Sequence, residues 1–165
     1  MDSRSLAATV LLAGVAVLGG ALLFQYVGGL PPCDLCIWQR WPWGIAIALG
    51  VVALAVPPLR RASGRALPAA VALLFVAGAA IAAYHAGVEQ HWIAGPATCT
   101  GPVGAATNFA DFARMIEQRP VVRCDDIPWS LFGISLAGFN ALISAAIAAL
   151  ALWTLTHFRP ERPAR

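Results

Sequence analysis

Four long gaps between charged residues constrain this chain more than any other feature. No charge lies between Arg4 and Asp34, and Leu6 to Tyr26 is almost continuously apolar. The intervals Arg40 to Arg60, Arg65 to Glu89 and Asp126 to Arg159 enclose 19, 23 and 32 uncharged residues. A helix of roughly 20 apolar residues crosses about 30 Å of hydrocarbon, so each gap is long enough for one span. In lipid every backbone N–H and C=O must be satisfied internally, which selects helices over irregular chain. The gaps therefore predict an all-α membrane protein: one integral domain over 1–165, with four transmembrane helices near 7–26, 41–59, 67–86 and 131–157. Only 12% of the residues are charged, against about 25% in a soluble domain. That excludes an ordinary water-soluble enzyme, a disordered tail and a nucleic-acid module. The first run exceeds the roughly 7–15 residues of a secretory h-region and is not followed by a clear A-x-A site, so a retained helix is expected.

Arginine placement orients the bundle. All 11 basic residues are arginine, and seven of them (Arg4, Arg60, Arg61, Arg65, Arg159, Arg162 and Arg165) fall in three short segments on one side. Arg40, Arg114, Arg119 and Arg123 are spread over longer loops on the other side, offset by six acids. The positive-inside rule then puts both termini in the cytoplasm and turns loops 27–40 and 87–129 outward.

All four cysteines, Cys33, Cys36, Cys99 and Cys124, lie in those two outward loops. As small apolar packers they would be scattered among the helices. An outward bacterial location permits disulfides, and four cysteines allow three pairings, among which spacing does not choose. Cys33-Asp34-Leu35-Cys36 is a C-x-x-C preceded by Pro31 and Pro32, and such close pairs are usually redox-active or metal-binding. A structural zinc site wants a second close pair; Cys99 and Cys124 have 24 residues between them, so no metal is expected. Two disulfides that merely brace the loops are the other alternative.

Redox chemistry is favoured by position. Arg40 follows Cys36 by four residues and shares its face if the chain is already helical there. A cation and a helix N-terminus both favour thiolate over thiol. Pro42 requires either that the helix begin near Trp41 or that it start earlier and break. Alone, Arg40 reads as an interfacial anchor, and Trp38, Trp41 and Trp43 as an aromatic belt. Within the long loop, Asn108 to Gln118 reads as a short amphipathic helix, lying at the interface or on top of the bundle. Pro96, Gly101 and Pro102 predict an extended segment around Cys99 that offers its sulfur to a partner by strand-like docking.

Together these stretches resemble the disulfide bond formation protein B family, the quinone-dependent membrane partners of periplasmic thiol oxidases. The likeness rests on Pro-Cys-Asp-Leu-Cys-Ile-Trp-Gln-Arg at 32–40, Tyr-His-Ala-Gly-Val-Glu-Gln-His-Trp at 84–92, Gly-Pro-Ala-Thr-Cys at 95–99 and Cys-Asp-Asp-Ile-Pro-Trp-Ser-Leu-Phe-Gly-Ile-Ser at 124–135. It covers essentially the whole chain, with Gln39 standing where some members carry glutamate. The resemblance implies a protein-dithiol:quinone oxidoreductase of the bacterial inner membrane that reoxidises a DsbA-like thiol oxidase. It also implies a division of labour. Cys99 takes the partner, with Cys124 as its mate; Cys33 exchanges with Cys124; and Cys36 faces a quinone, ubiquinone or menaquinone. Arg40 would stabilise the Cys36 thiolate and the reduced ring. A reductase of the vitamin K epoxide type fits less well, because there the close pair lies near the end of a late helix.

Overall fold

Asp2 starts the first helix, its carboxylate accepting the Ser5 N–H at 2.8 Å, and α1 runs unbroken over Ser3–Tyr26. A computed structural model gives the structure of the protein and describes residues 2–100, 108–110, 113 and 122–157. The helix expected over 108–118 falls largely outside these residues.

The second span is interrupted at both ends for reasons visible in its prolines. α2 (Asp34–Trp38) begins at the C-x-x-C, where the Cys33 sulfur accepts the Cys36 N–H at 3.2 Å as an N-cap. Gln39 separates it from α3 (Arg40–Ala55). Pro42 has no N–H for the Trp38 carbonyl, and its ring crowds that oxygen, so the break falls beside Trp38. The helix thus starts before Trp41, and the expected span 41–59 is corrected at both ends. Asp34–Ala55 is the membrane-length segment. It stops because Val56 precedes Pro57 and is driven out of the helical region, to φ −120° and ψ 77°. Proline then opens α4 (Pro57–Ser63), from which the buried Arg60 donates from Nη1 to the Ala53 carbonyl at 2.9 Å. That bond satisfies one of the carbonyls α3 leaves open.

α5 (Ala66–Glu89) continues three residues past the expected 67–86, which puts Glu89 on the helix. The last span is shorter than 131–157. Ser130–Leu131 (β1) and Ile134–Ser135 (β2) pair antiparallel across Phe132 and Gly133, both at positive φ (52° and 79°) as a tight hairpin turn requires. Ser135 then caps α7 (Leu136–Thr156), accepting the Gly138 N–H at 3.1 Å. A four-residue turn of helix, α6 (Ala97–Thr100), carries Cys99.

Among the described residues, four helices are long and apolar enough to cross a membrane. α1 packs mainly on α3, and α5 on α7. With lipid outside, helices associate by close packing of small residues. A β-carbon on Gly50 would stand 2.9 Å from the Ala7 carbonyl oxygen and 2.8 Å from Leu11 Cβ, so α1 and α3 meet there backbone to backbone. Leu6, Val10, Trp43, Val71, Phe75 and Ala151 fill the centre of the bundle. A second cluster joins Cys33, Leu35, Val88, Cys99 and Cys124.

Candidate functional site

Three separate segments deliver the sulfurs to one point. Cys33 and Cys36 are free thiols, while Cys99 and Cys124 are joined as a disulfide with Cα atoms 5.4 Å apart, inside the range such a bond spans. The Cys124 N–H donates to the Cys99 carbonyl at 3.2 Å, holding the two strands of chain together. Cys33 Sγ lies 2.8 Å from Cys36 Sγ, and the Cys33, Cys99 and Cys124 sulfurs all fall within 4.8 Å of one another. Cys33 is therefore the sulfur common to both pairs. Its hydrogen bond to Cys36, with burial next, pushes the Cys33 thiol up, so it stays protonated and donates. Beside Cys124, Arg123 grips Asp125 through two hydrogen bonds (2.9 and 2.6 Å) and holds that carboxyl below its usual range.

Cys99 is not extended. It sits in α6, with its N–H donating to the Pro96 carbonyl at 2.9 Å, and its side chain is only 4% exposed. After Pro96 the chain winds into this turn, and Cys99 belongs to the same buried cluster as Leu35 and Val88; Gly101 and Pro102 lie outside the described residues. The strand-like presentation expected from Pro96, Gly101 and Pro102 is corrected accordingly.

Behind the C-x-x-C lies a cavity of about 250 Å³ in the gap between α1 and α7, which touch only lightly. Ala16, Gly20 and Phe24 from α1 and Phe139 and Ile143 from α7 give it apolar walls; Cys36 and Arg40 also line it. Arg40 is held there by Gln25, whose Oε1 accepts from Nη1 at 2.6 Å. Cys36 and Arg40 thus share one lining, as their spacing predicts. Trp43 does not belong to an aromatic belt. It is 2% exposed, stands edge-on to Phe75 with ring centres 4.9 Å apart, and donates from Nε1 to Asn140 Oδ1 at 2.7 Å. Trp38 and Trp41, by contrast, are exposed. The volume is slightly under the roughly 300–1,000 Å³ of drug-sized pockets. Besides Cys36 and Arg40, the polar groups on its lining are Gln39, His85, Glu89 and Asn140.

Sequence reasoning missed the polar groups that surround this chemistry. His85 Nε2 lies 3.5 Å from Cys33 Sγ and 3.9 Å from Glu89 Oε1, and His85 Nδ1 lies 2.5 Å from Gln39 Nε2. Asn140 donates to Gln39 Oε1 at 2.5 Å, and the Ser135 hydroxyl donates to Glu89 Oε2. One signal was available. His85 and Glu89 stand four apart in a run otherwise almost free of polar side chains, so they share one helix face.

Comparison with known proteins accords with this geometry. The family model for disulfide bond formation protein DsbB matches residues 3–154. Relatives called disulfide bond formation protein B include one from a Polaromonas species, 31% identical over 96% of this chain and 94% of its own. That of Stutzerimonas stutzeri is 31% identical over 92% of this chain and 94% of its own. That of Verminephrobacter eiseniae is 32% identical over 90% and 84%. With four helices long enough to span a membrane, four cysteines gathered from segments outside the helix cores and a family match spanning nearly the whole chain, this multi-pass membrane protein belongs to the disulfide bond formation protein B family.

Proposed function

We propose that the protein is a dithiol:quinone oxidoreductase: it takes electrons from a reduced DsbA-like thiol oxidase and passes them to membrane quinone, thereby supporting disulfide formation. The observation that carries this reading is the meeting of a disulfide, a free dithiol and an apolar cavity around Cys33 and Cys36. Thiol–disulfide exchange needs a thiolate placed to attack a disulfide sulfur. Cys33 lies within reach of the Cys124 sulfur, and Cys36 has the cavity. Once the Cys33–Cys36 dithiol has given two electrons and two protons to quinone, that pair is a disulfide. The partner's thiolate attacks Cys99 and releases Cys124; Cys124 attacks Cys33 and releases Cys36; the partner's second thiolate frees Cys99, which displaces Cys33 from Cys124 and restores both the Cys99–Cys124 bond and the reduced Cys33–Cys36 pair. Arg40 places a positive charge on the same cavity lining as Cys36, which favours negative charge on that sulfur when it leaves. Cys36 and Arg40 are the residues that would hold the quinone headgroup, and a quinone supplies an acceptor for two electrons and two protons. Ala16, Gly20 and Phe24 keep water from that end of the cavity. A static staple fits less well, since a brace has no use for a free dithiol opening on an apolar pocket.

Purified protein mixed with a reduced thioredoxin-like oxidase and a soluble quinone is expected to bleach quinone absorbance in step with loss of partner thiols. Absence of thiol-dependent bleaching would remove the enzymatic reading. The proposed setting is the bacterial inner membrane, with cytoplasmic termini and periplasmic cysteines. Reporter fusions at Ala62 and Ala105 are then expected to report cytoplasm and periplasm respectively, and like signals would refute that topology.

A further inference from the structure

We infer that Gln39 and Asn140 are positioning residues that keep the proton of neutral His85 on Nε2, aimed at the Cys33 sulfur. The direction of the chain of hydrogen bonds follows from its far end. An indole N–H only donates. Trp43 Nε1, 2.7 Å from Asn140 Oδ1, therefore makes that atom the acceptor and leaves the Asn140 NH₂ to donate. The NH₂ meets Gln39 at 2.5 Å, so the Gln39 atom there is the carbonyl oxygen and its NH₂ points the other way. It points at His85 Nδ1, again at 2.5 Å. A ring nitrogen that receives an N–H carries no proton of its own, so in the neutral ring the proton sits on Nε2.

The groups facing Nε2 agree. Cys33 Sγ is 3.5 Å away, and Glu89 Oε1 is 3.9 Å away, with the other oxygen of that carboxyl already accepting from Ser135. The Cys124 backbone also faces the ring. Cys33, Cys36 and His85 are close enough to hold a metal, but the lock opposes one. A ligating histidine donates from its second nitrogen, whereas Nδ1 here accepts. What Nε2–H does instead is stabilise negative charge on Cys33 whenever exchange with Cys124 breaks a bond to that sulfur. No proton need leave the ring. A glutamate in place of Gln39 only accepts when ionised, and would draw the ring proton to Nδ1.

The catalytic consequence rests on the thiol:quinone reading; the tautomer does not, and its measurement needs neither quinone nor partner. His85 becomes the sole histidine in a protein carrying His91→Asn and His157→Asn; asparagine suits the positive φ (59°) of His91. Long-range proton–nitrogen correlation spectra of that protein in lipid nanodiscs, labelled with ¹⁵N-histidine, are expected to show the proton on Nε2. In Gln39→Glu, close to isosteric, it is expected on Nδ1 or on both nitrogens, and in Gln39→Leu on a mixture of the two. A proton on Nδ1 in the parent, or an unmoved tautomer in both variants, overturns the lock. Partner-to-quinone turnover of both variants is expected to fall about tenfold or more, the loss for one hydrogen bond to a charged sulfur, with the KM for the reduced partner unchanged. A moved tautomer with full turnover overturns the role at Cys33. A parent with the Nε2 proton but no quinone reduction instead refutes the oxidoreductase reading and leaves the lock standing.

Discussion

Cys124→Ser is expected to accumulate a covalent adduct with a thioredoxin-like partner, while Cys99→Ser forms none. A partner whose single active-site cysteine carries a nitrothiobenzoate group makes the reaction visible. The Cys99 thiolate attacks the partner sulfur, a new disulfide forms, and the coloured aryl thiolate leaves. In the wild type Cys99 is committed to Cys124. In Cys124→Ser it is free, and the sulfur that would resolve the adduct is gone. In Cys99→Ser the remaining Cys124 is wholly buried and has no path to the partner. Cys36→Ser keeps the Cys99–Cys124 bond and partner engagement, but its turnover should fall to background because no dithiol reaches the cavity. Non-reducing gels read the adducts. An adduct in Cys36→Ser and none in Cys124→Ser would reverse the assignment of the two pairs.

The second large effect is expected at Arg40. Its guanidinium is fixed by Gln25 and lines the same cavity as Cys36. Replacing it with alanine removes a charge-assisted contact worth about 1.5–3 kcal/mol, or roughly 10- to 100-fold in kcat/KM for quinone. The affinity for the reduced partner should not change. Arg40→Lys keeps the charge but loses the planar fork that Gln25 positions, so an intermediate loss is expected. Steady-state kinetics with each substrate varied in turn separates the two. Unchanged quinone kinetics in Arg40→Ala would return the residue to anchoring headgroups.

The spans were legible because charge is costly in hydrocarbon and its absence is therefore a ruler. Their ends were less so. The gap from Arg40 to Arg60 hides a stop at Ala55, which only the pairing of Val56 with Pro57 reveals. The hairpin at Ser130–Ser135 is uncharged, and its residues pass for the start of a span. At the site, spacing alone suggested Cys36 with Arg40, since both sit on one local stretch. The His85–Gln39–Asn140 chain was invisible, because its contacts join residues 46 and 101 positions apart, on two helices and at the break between α2 and α3. Trp43 shows the same limit. Three tryptophans within six residues read as a belt, yet only the facing Phe75 and Asn140 decide which of them turns inward.

The burial of Cys33, Cys99 and Cys124 has a consequence for leakage. At no more than 4% exposure, none of them offers a diffusing small thiol a line of attack. In the relay we propose, electrons would enter only when something lifts the single turn of α6 out of the cluster it shares with Leu35 and Val88, and a docking protein can supply the free energy for lifting it. A tripeptide-sized reductant lacks the contact area to do so, and each 1.4 kcal/mol of opening cost slows its unassisted entry about tenfold. The packing around the sulfurs thus acts as insulation: it prevents the membrane's oxidising capacity from being short-circuited by whatever soluble thiols surround it.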